Sequence, residues 1–168
     1  MIILNKMVLK VLARAASIAL INLFAITLLT GFTQNAAWAD AGKNRDADGR
    51  LKVLYHIDSP DIAVARYAMA LINKHIEAEG GQDKIDLIVV VHGPALELFG
   101  KEGADPVLVK KLKMAIDKGA KPEMCQVSMK MYDKPLATLL DGFIPTKHPV
   151  AVKRIADLQE QGYIYIKP

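Results

Sequence analysis

The sequence predicts an α/β fold, a three-layer α/β/α sandwich around a mostly parallel five-stranded sheet. Three observations carry that expectation. From residue 50 onward, short runs rich in branched and aromatic residues alternate with longer runs of helical period. One short run, Ile85–Val91 (IDLIVVV), is apolar almost throughout, as a strand covered on both faces must be. The helical runs open on capping residues or proline and close on glycine, as crossover helices between parallel strands do.

Leu51–Ile57 (LKVLYHI) reads as the first strand. Asp58-Ser59-Pro60-Asp61 then starts a helix, a capping residue followed by proline in the first turn. Ile62, Ala65, Ala68, Met69, Ile72 and Ile76 recur at helical spacing up to Glu79, and Gly80-Gly81 stops the run. Ile85–Val91 is the central strand, ended by His92-Gly93-Pro94, and Ala95–Phe99 is a short helical turn. Asp105-Pro106 opens a second helix with Val109, Leu112, Met114, Ala115 and Ile116 inward, closed at Gly119. Glu123–Val127 is a short strand with Cys125 near its centre. Met129–Tyr132 and Pro135–Leu140 read as turns or short helices, and Phe143–Ile144 begins a weak fourth strand. Pro149–Gln161 is the last helix, with Val152, Ile155, Ala156 and Leu158 inward; Gly162 stops it, and Tyr163–Ile166 is the final strand.

The first 39 of the 168 residues have a different character. Lys6, Lys10 and Arg14 precede an apolar run, Ala15–Phe32, interrupted only by Ser17, Asn22, Thr27, Thr30 and Gly31. Ala37-Trp38-Ala39 follows. Basic, apolar and small-x-small segments in that order make a secretory signal peptide over residues 1–39. Residues 40–49 then read as a flexible leader and 50–168 as the folded domain, exported to the periplasm. Left uncleaved, the run is close to the ~20 residues that span a bilayer and becomes an N-terminal anchor.

This division changes the charge argument. The full chain is +4, but without the signal it has 19 basic against 18 acidic residues. A net charge near zero gives no support to a nucleic-acid partner. Cys125 is the sole cysteine, which excludes an intrachain disulfide scaffold. Phosphate-loop, dinucleotide, nucleophile-elbow and H-E-x-x-H motifs are all absent, so neither a cofactor nor a resident metal is expected.

In parallel sheets, ligands gather at the carboxyl ends of strands. That rule selects His56–Ser59, His92–Ala95 and Cys125–Met129. A lone thiol in an exported protein is unusual, because oxidising compartments favour paired cysteines. Cys125 is either a nucleophile that holds sulfane sulfur as a persulfide or a small buried hydrophobe. His92 is either a general acid/base beside a thiolate or a strand-end histidine bonded to a loop carbonyl. His56, with Asp58 two residues on, presents the same choice. Gly93 allows close backbone approach to a ligand. His75 and His148 read as surface residues. Met124, Met129 and Met131 around the thiol also suit Cu(I), although methionine is a common core filler.

Four segments carry a family resemblance: Val53–Asp58 (VLYHID), Leu87–Pro94 (LIVVVHGP), Glu123–Met129 (EMCQVSM) and Leu158–Pro168 (LQEQGYIYIKP). Together they resemble the DsrE/DsrF-like family, and more narrowly its exported single-domain branch. Asn73 also fits the family pattern. The resemblance implies the three-layer fold, homo-oligomers (trimers or hexamers), and a cysteine at the position of Cys125 that passes persulfide sulfur between donor and acceptor proteins. It carries His92 and Gly93 with their motif, and His56 and Asn73 as binding residues. Two departures stand out: Pro149-Val150-Ala151 replaces a small residue plus glycine before the last helix, and Cys125-Gln126-Val127-Ser128-Met129 is a loose match. Two functions follow. One is a periplasmic sulfur carrier or sulfurtransferase-like accessory protein. The other is a non-catalytic module for a small ligand, Cu(I) or a protein, with a structural cysteine.

Overall fold

The computed structural model describes residues 42–168; the apolar N-terminal run and the expected cleavage site lie outside the described residues. The strands are β1 (Leu51–Ile57), β2 (Ile85–Val91), β3 (Lys121–Met124), β4 (Ile144–Pro145) and β5 (Ile164–Ile166). The α-helices are α1 (Ile62–Glu79), α2 (Pro106–Asp117), α3 (Gln126–Met131) and α4 (Ala151–Glu160). Two 3-10 turns cover Gly93–Phe99 and Leu136–Thr138. All strand pairs are parallel, in the order β4-β3-β2-β1-β5. No helix among the described residues is long and apolar enough to cross a membrane.

Strand alternation sorts the core into two layers. Val53, Tyr55 and Ile57, with Ile85, Leu87, Val89 and Val91, face α1 and α2 and join a core that includes Phe99, Leu108, Leu112 and Met124. Leu54, Ile88 and Val90 face the other way and pack with Cys125, Ala151, Ile155 and Leu158 under α4. Helices on both faces make the predicted three layers, and β2 at the centre is buried along nearly its whole length.

Local chemistry moves several expected boundaries. Asp61, not Asp58, caps α1: its carboxylate accepts from Ala63 N at 2.8 Å, and Pro60 sits before the cap. That frees Asp58 for the site described below. In α2 the buried residues are Leu108, Leu112 and Ala115, whereas Met114 is 40% exposed. Asp105 caps α2 at Leu108 N and also holds Arg66 of α1. In α4, Val152 and Ala156 face solvent while Arg154 is buried. Its guanidinium donates twice to Glu123, at 2.8 and 2.6 Å, so a buried ion pair occupies a stripe that hydrophobic periodicity assigns to apolar residues. β3 stops at Met124, which puts Cys125 at the strand end and N-terminal to α3 rather than mid-strand.

The expected flexible leader is partly ordered. Asp46 accepts from Asp48 N and Arg50 N, and the Lys52 N–H bonds the Asn44 carbonyl. A polar segment reads as leader because it has no apolar period; here an aspartate turn organises it instead.

Candidate functional site

β1, β2 and β3 all end at the same edge. Ile57 pairs with Val91, and Val91 with Met124. The ladder runs one step further: His92 N–H bonds Ile57 O at 3.1 Å, and Cys125 N–H bonds Val91 O at 3.0 Å. His92 and Cys125 are therefore successive residues on neighbouring strands, which lie ~4.8 Å apart. Alternation turns His56, His92 and Cys125 to the face covered by α4.

The two histidines touch. Their Nε2 atoms are 2.7 Å apart and their rings stack with centroids 4.8 Å apart at 15°. His56 Nδ1 hydrogen-bonds the Tyr165 hydroxyl at 2.7 Å. Two proton arrangements satisfy this chain. Either Tyr165 donates to His56 and His56 donates to His92, or His92 donates to His56 and His56 donates to the Tyr165 oxygen. Asp58 Oδ2 lies 3.8 Å from His56 Nε2 and accepts from Lys167 Nζ at 2.7 Å.

Burial governs the electrostatics. His56 is 8% exposed, and its pKa is pushed down to about 4 by burial and then by His92, with Asp58 opposing. Burial also lowers His92, against the pull of Asp58. Burial pushes Asp58 upward, but Lys167 and the histidines outweigh it and hold the carboxyl below its ordinary value. Both imidazoles are thus neutral at pH 7. The ligand atoms of His56, Asp58 and His92 all lie within 4.8 Å of one another, close enough to hold a metal ion. H-E-x-x-H spacing could not reveal this set, because His56 and His92 come from different strands.

Cys125 is adjacent but covered. It is 4% exposed, and its Sγ donates to the Pro149 carbonyl at 3.5 Å. Val127 N–H bonds the same carbonyl. Gly93 has φ +59, which glycine adopts freely, but its N–H donates to Ser128 Oγ at 2.8 Å. Gly93 therefore ties the β2 exit to α3 and offers no free amide to a ligand.

Asn73 is not brought to this cluster. It lies eleven residues into α1, ~16 Å from the helix start. Its Nδ2 donates to Met69 O and Lys111 O, bridging α1 to α2. The soft-ligand set does not assemble either: Met124 is buried in the core on the opposite face from Cys125, and Met131 is 76% exposed. His75 bonds the Tyr55 hydroxyl at 3.1 Å, and His148 accepts from Val150 N at 3.1 Å; neither joins the pair. Tyr165 and Lys167, which the sequence places in the closing family segment and not among the candidate site residues, contribute to the site. The C-terminal strand reads from sequence as structure, and only its pairing with β1 brings Tyr165 to His56.

A model of the DsrE/DsrF-like family matches residues 52–168. No curated protein matches the sequence. Among solved structures, the fold is similar to MTH1491, a protein of unknown function from Methanobacterium thermoautotrophicum (TM-score 0.61, 16% identity, 69% of this chain and 97% of that one). It is also similar to the ychN protein from E. coli (TM-score 0.56, 12% identity, 70% of this chain and 98% of that one). Likeness at such identities speaks for the fold alone.

Proposed function

The chain belongs to the DsrE/DsrF-like family, and from that premise we propose that it is a periplasmic, homo-oligomeric sulfur carrier holding sulfane sulfur on Cys125. The observation that supports this reading is the juxtaposition of Cys125 and His92 as the next residues of neighbouring strands on one face of the sheet. In the proposed step, His92 takes the thiol proton. The thiolate attacks the outer sulfur of a persulfide donor. An S–S bond forms at Cys125 Sγ, the donor's own S–S bond breaks, and the donor leaves as a thiol carrying that proton. Sulfur changes hands without an external oxidant. Because the thiol is buried beneath the Pro149 carbonyl, loading requires the exposed segment around Pro149 to move aside.

A second reading rests on the packing of Cys125 among Leu54, Ile88, Val90, Ala151, Ile155 and Leu158. That environment suits a structural cysteine in a binding module. Intact-protein mass spectrometry separates the two. Full-length wild type and Cys125→Ser are exposed to thiosulfate, polysulfide or glutathione persulfide. A reductant-reversible gain of ~32 Da per sulfur on wild type alone supports the carrier. No adduct, together with a thiol that alkylating reagents reach only after denaturation, removes the carrier reading.

A further inference from the structure

We propose that His56, Asp58 and His92 bind one divalent first-row transition-metal ion, of which zinc is the simplest case. The site stands on its own geometry and does not depend on sulfur carriage by Cys125. Three potential ligand atoms from two strand ends lie within 4.8 Å of one another. Zinc–nitrogen and zinc–oxygen bonds of about 2.0–2.2 Å place tetrahedral ligand atoms ~3.3 Å apart. The His56–His92 separation of 2.7 Å must therefore widen, and the His56–Asp58 separation of 3.8 Å must shrink, each by roughly half an ångström. Side-chain rotation within existing wells supplies such shifts.

The surroundings match what a metal site needs beyond its ligands. A ligating imidazole is oriented by a partner on its other nitrogen. Tyr165 provides that partner for His56, at 2.7 Å from Nδ1. In the metal-bound form His56 carries its proton on Nδ1 and donates it to the Tyr165 oxygen, which frees Nε2 for the ion. The His56–His92 hydrogen bond is exchanged for two metal–nitrogen bonds, with no net loss of a proton from the pair. Two imidazoles and one carboxylate favour a borderline ion such as zinc over magnesium or calcium, which prefer all-oxygen sites. His92 and Asp58 are only partly buried, so the outer side of the cluster is accessible. Three protein ligands with a position left for water or an anionic group is the pattern of a reactive metal site rather than a closed structural one.

Lys167 supplies an independent check. Its ammonium, 2.7 Å from Asp58 Oδ2, competes with the ion for the carboxylate and repels a dication. Lys167 is exposed, and removing its side chain removes no ligand.

The test is isothermal titration of zinc chloride into tag-free, chelator-treated full-length protein in mild detergent, with cobalt(II) absorption as a second readout. Wild type is expected to bind one zinc per chain and to give the intense visible bands of low-coordinate cobalt. His92→Ala and Asp58→Ala should each weaken binding at least about tenfold. Lys167→Met should tighten it several-fold, and Cys125→Ser should bind as wild type does. Asp58 is partly exposed and Lys167 exposed, so both variants keep the core; circular dichroism verifies this. Absence of binding by wild type overturns the proposal, and so does wild-type affinity in Asp58→Ala or Lys167→Met. Loss of zinc in Cys125→Ser would overturn the assigned ligand set, while failure of sulfur loading alone leaves the metal site standing.

Discussion

The two faces of the sheet are built differently. Among the described residues, the face packed by α1 and α2 holds 22 buried core residues in one cluster, and the face packed by α4 holds seven. The cause is topological: the two long crossovers pack on the same side, and a single ten-residue helix covers the other. The thick face is almost wholly apolar, with Asn73 as its buried polar exception, hydrogen-bonded to Met69 O and Lys111 O. The thin face carries Cys125, His56 and the Glu123–Arg154 pair among a few aliphatic side chains. Buried polar groups need hydrogen-bond or charge partners, and the thin face supplies more of them. Stability and chemistry are thus concentrated on opposite faces of the sheet.

The largest expected effects test that separation in stability. Phe99 is fully buried on the thick face, edge-on to Phe143 at 5.2 Å. Phe99→Ala should cost about 3–5 kcal/mol in denaturant unfolding. Zinc binding per folded molecule should stay unchanged; a parallel loss of both would join the faces into one functional unit. On the thin face, Arg154→Met leaves Glu123 buried without its partner and should also cost about 3–5 kcal/mol. The double variant Glu123→Leu/Arg154→Met should recover most of that loss. If it does not, the pair contributes more than the avoidance of an unpaired buried charge.

This split between faces also explains what the sequence reveals and what it hides. β1 and β2 are legible to the residue because unbroken branched apolar runs have few alternatives, and α1 because its apolar spacing is regular. Where burial is apolar, pattern and packing agree. The thin face breaks the pattern. Arg154 occupies an inward position that period analysis gives to Val152 and Ala156, because a guanidinium can be buried once a carboxylate meets it. The strand-end rule selects His56, His92 and Cys125 from sequence, since it depends only on where strands stop. It does not select Tyr165 or Lys167, whose roles arise from β5 pairing with β1 across more than a hundred residues of chain. Asn73 shows the converse: its place in a family pattern corresponds to a bridge between helices.

A pH titration gives an effect of intermediate size. His56 has a folded pKa of about 4 against an ordinary 6.5. Between those values the unfolded chain binds a proton that the folded one refuses. The contribution is therefore complete above about pH 6.5 and is lost as the pH falls toward 4. In chelator-treated protein, unfolding free energy should decline across that window. His56→Phe, which fills the space without titrating, should flatten the decline. An equal slope in both proteins would assign the pH dependence to other groups. Asn73→Ala removes two hydrogen bonds on the thick face, one within α1 and one from α1 to α2, and should cost about 1–3 kcal/mol, with zinc affinity unaffected.

Tyr165→Phe should have the smallest effect on stability and the most selective one on the site. Tyr165 is 39% exposed, so its ring contributes modestly to the core, and water can replace its hydroxyl. Loss of the single bond to His56 Nδ1 should cost no more than about 1 kcal/mol in unfolding. The hydroxyl nevertheless sets which His56 nitrogen faces His92 and Asp58. Without it, the ring can carry its proton on Nε2, the atom that must ligate, and the useful tautomer is no longer favoured. Zinc affinity should fall by about tenfold, the lower end of what removing such a partner costs. A near-neutral melt combined with weakened zinc binding identifies Tyr165 as a positioning residue. Unchanged affinity would mean that the pairing of β5 with β1 serves the sheet alone, and the thin face would then be functional only where His92 and Cys125 meet.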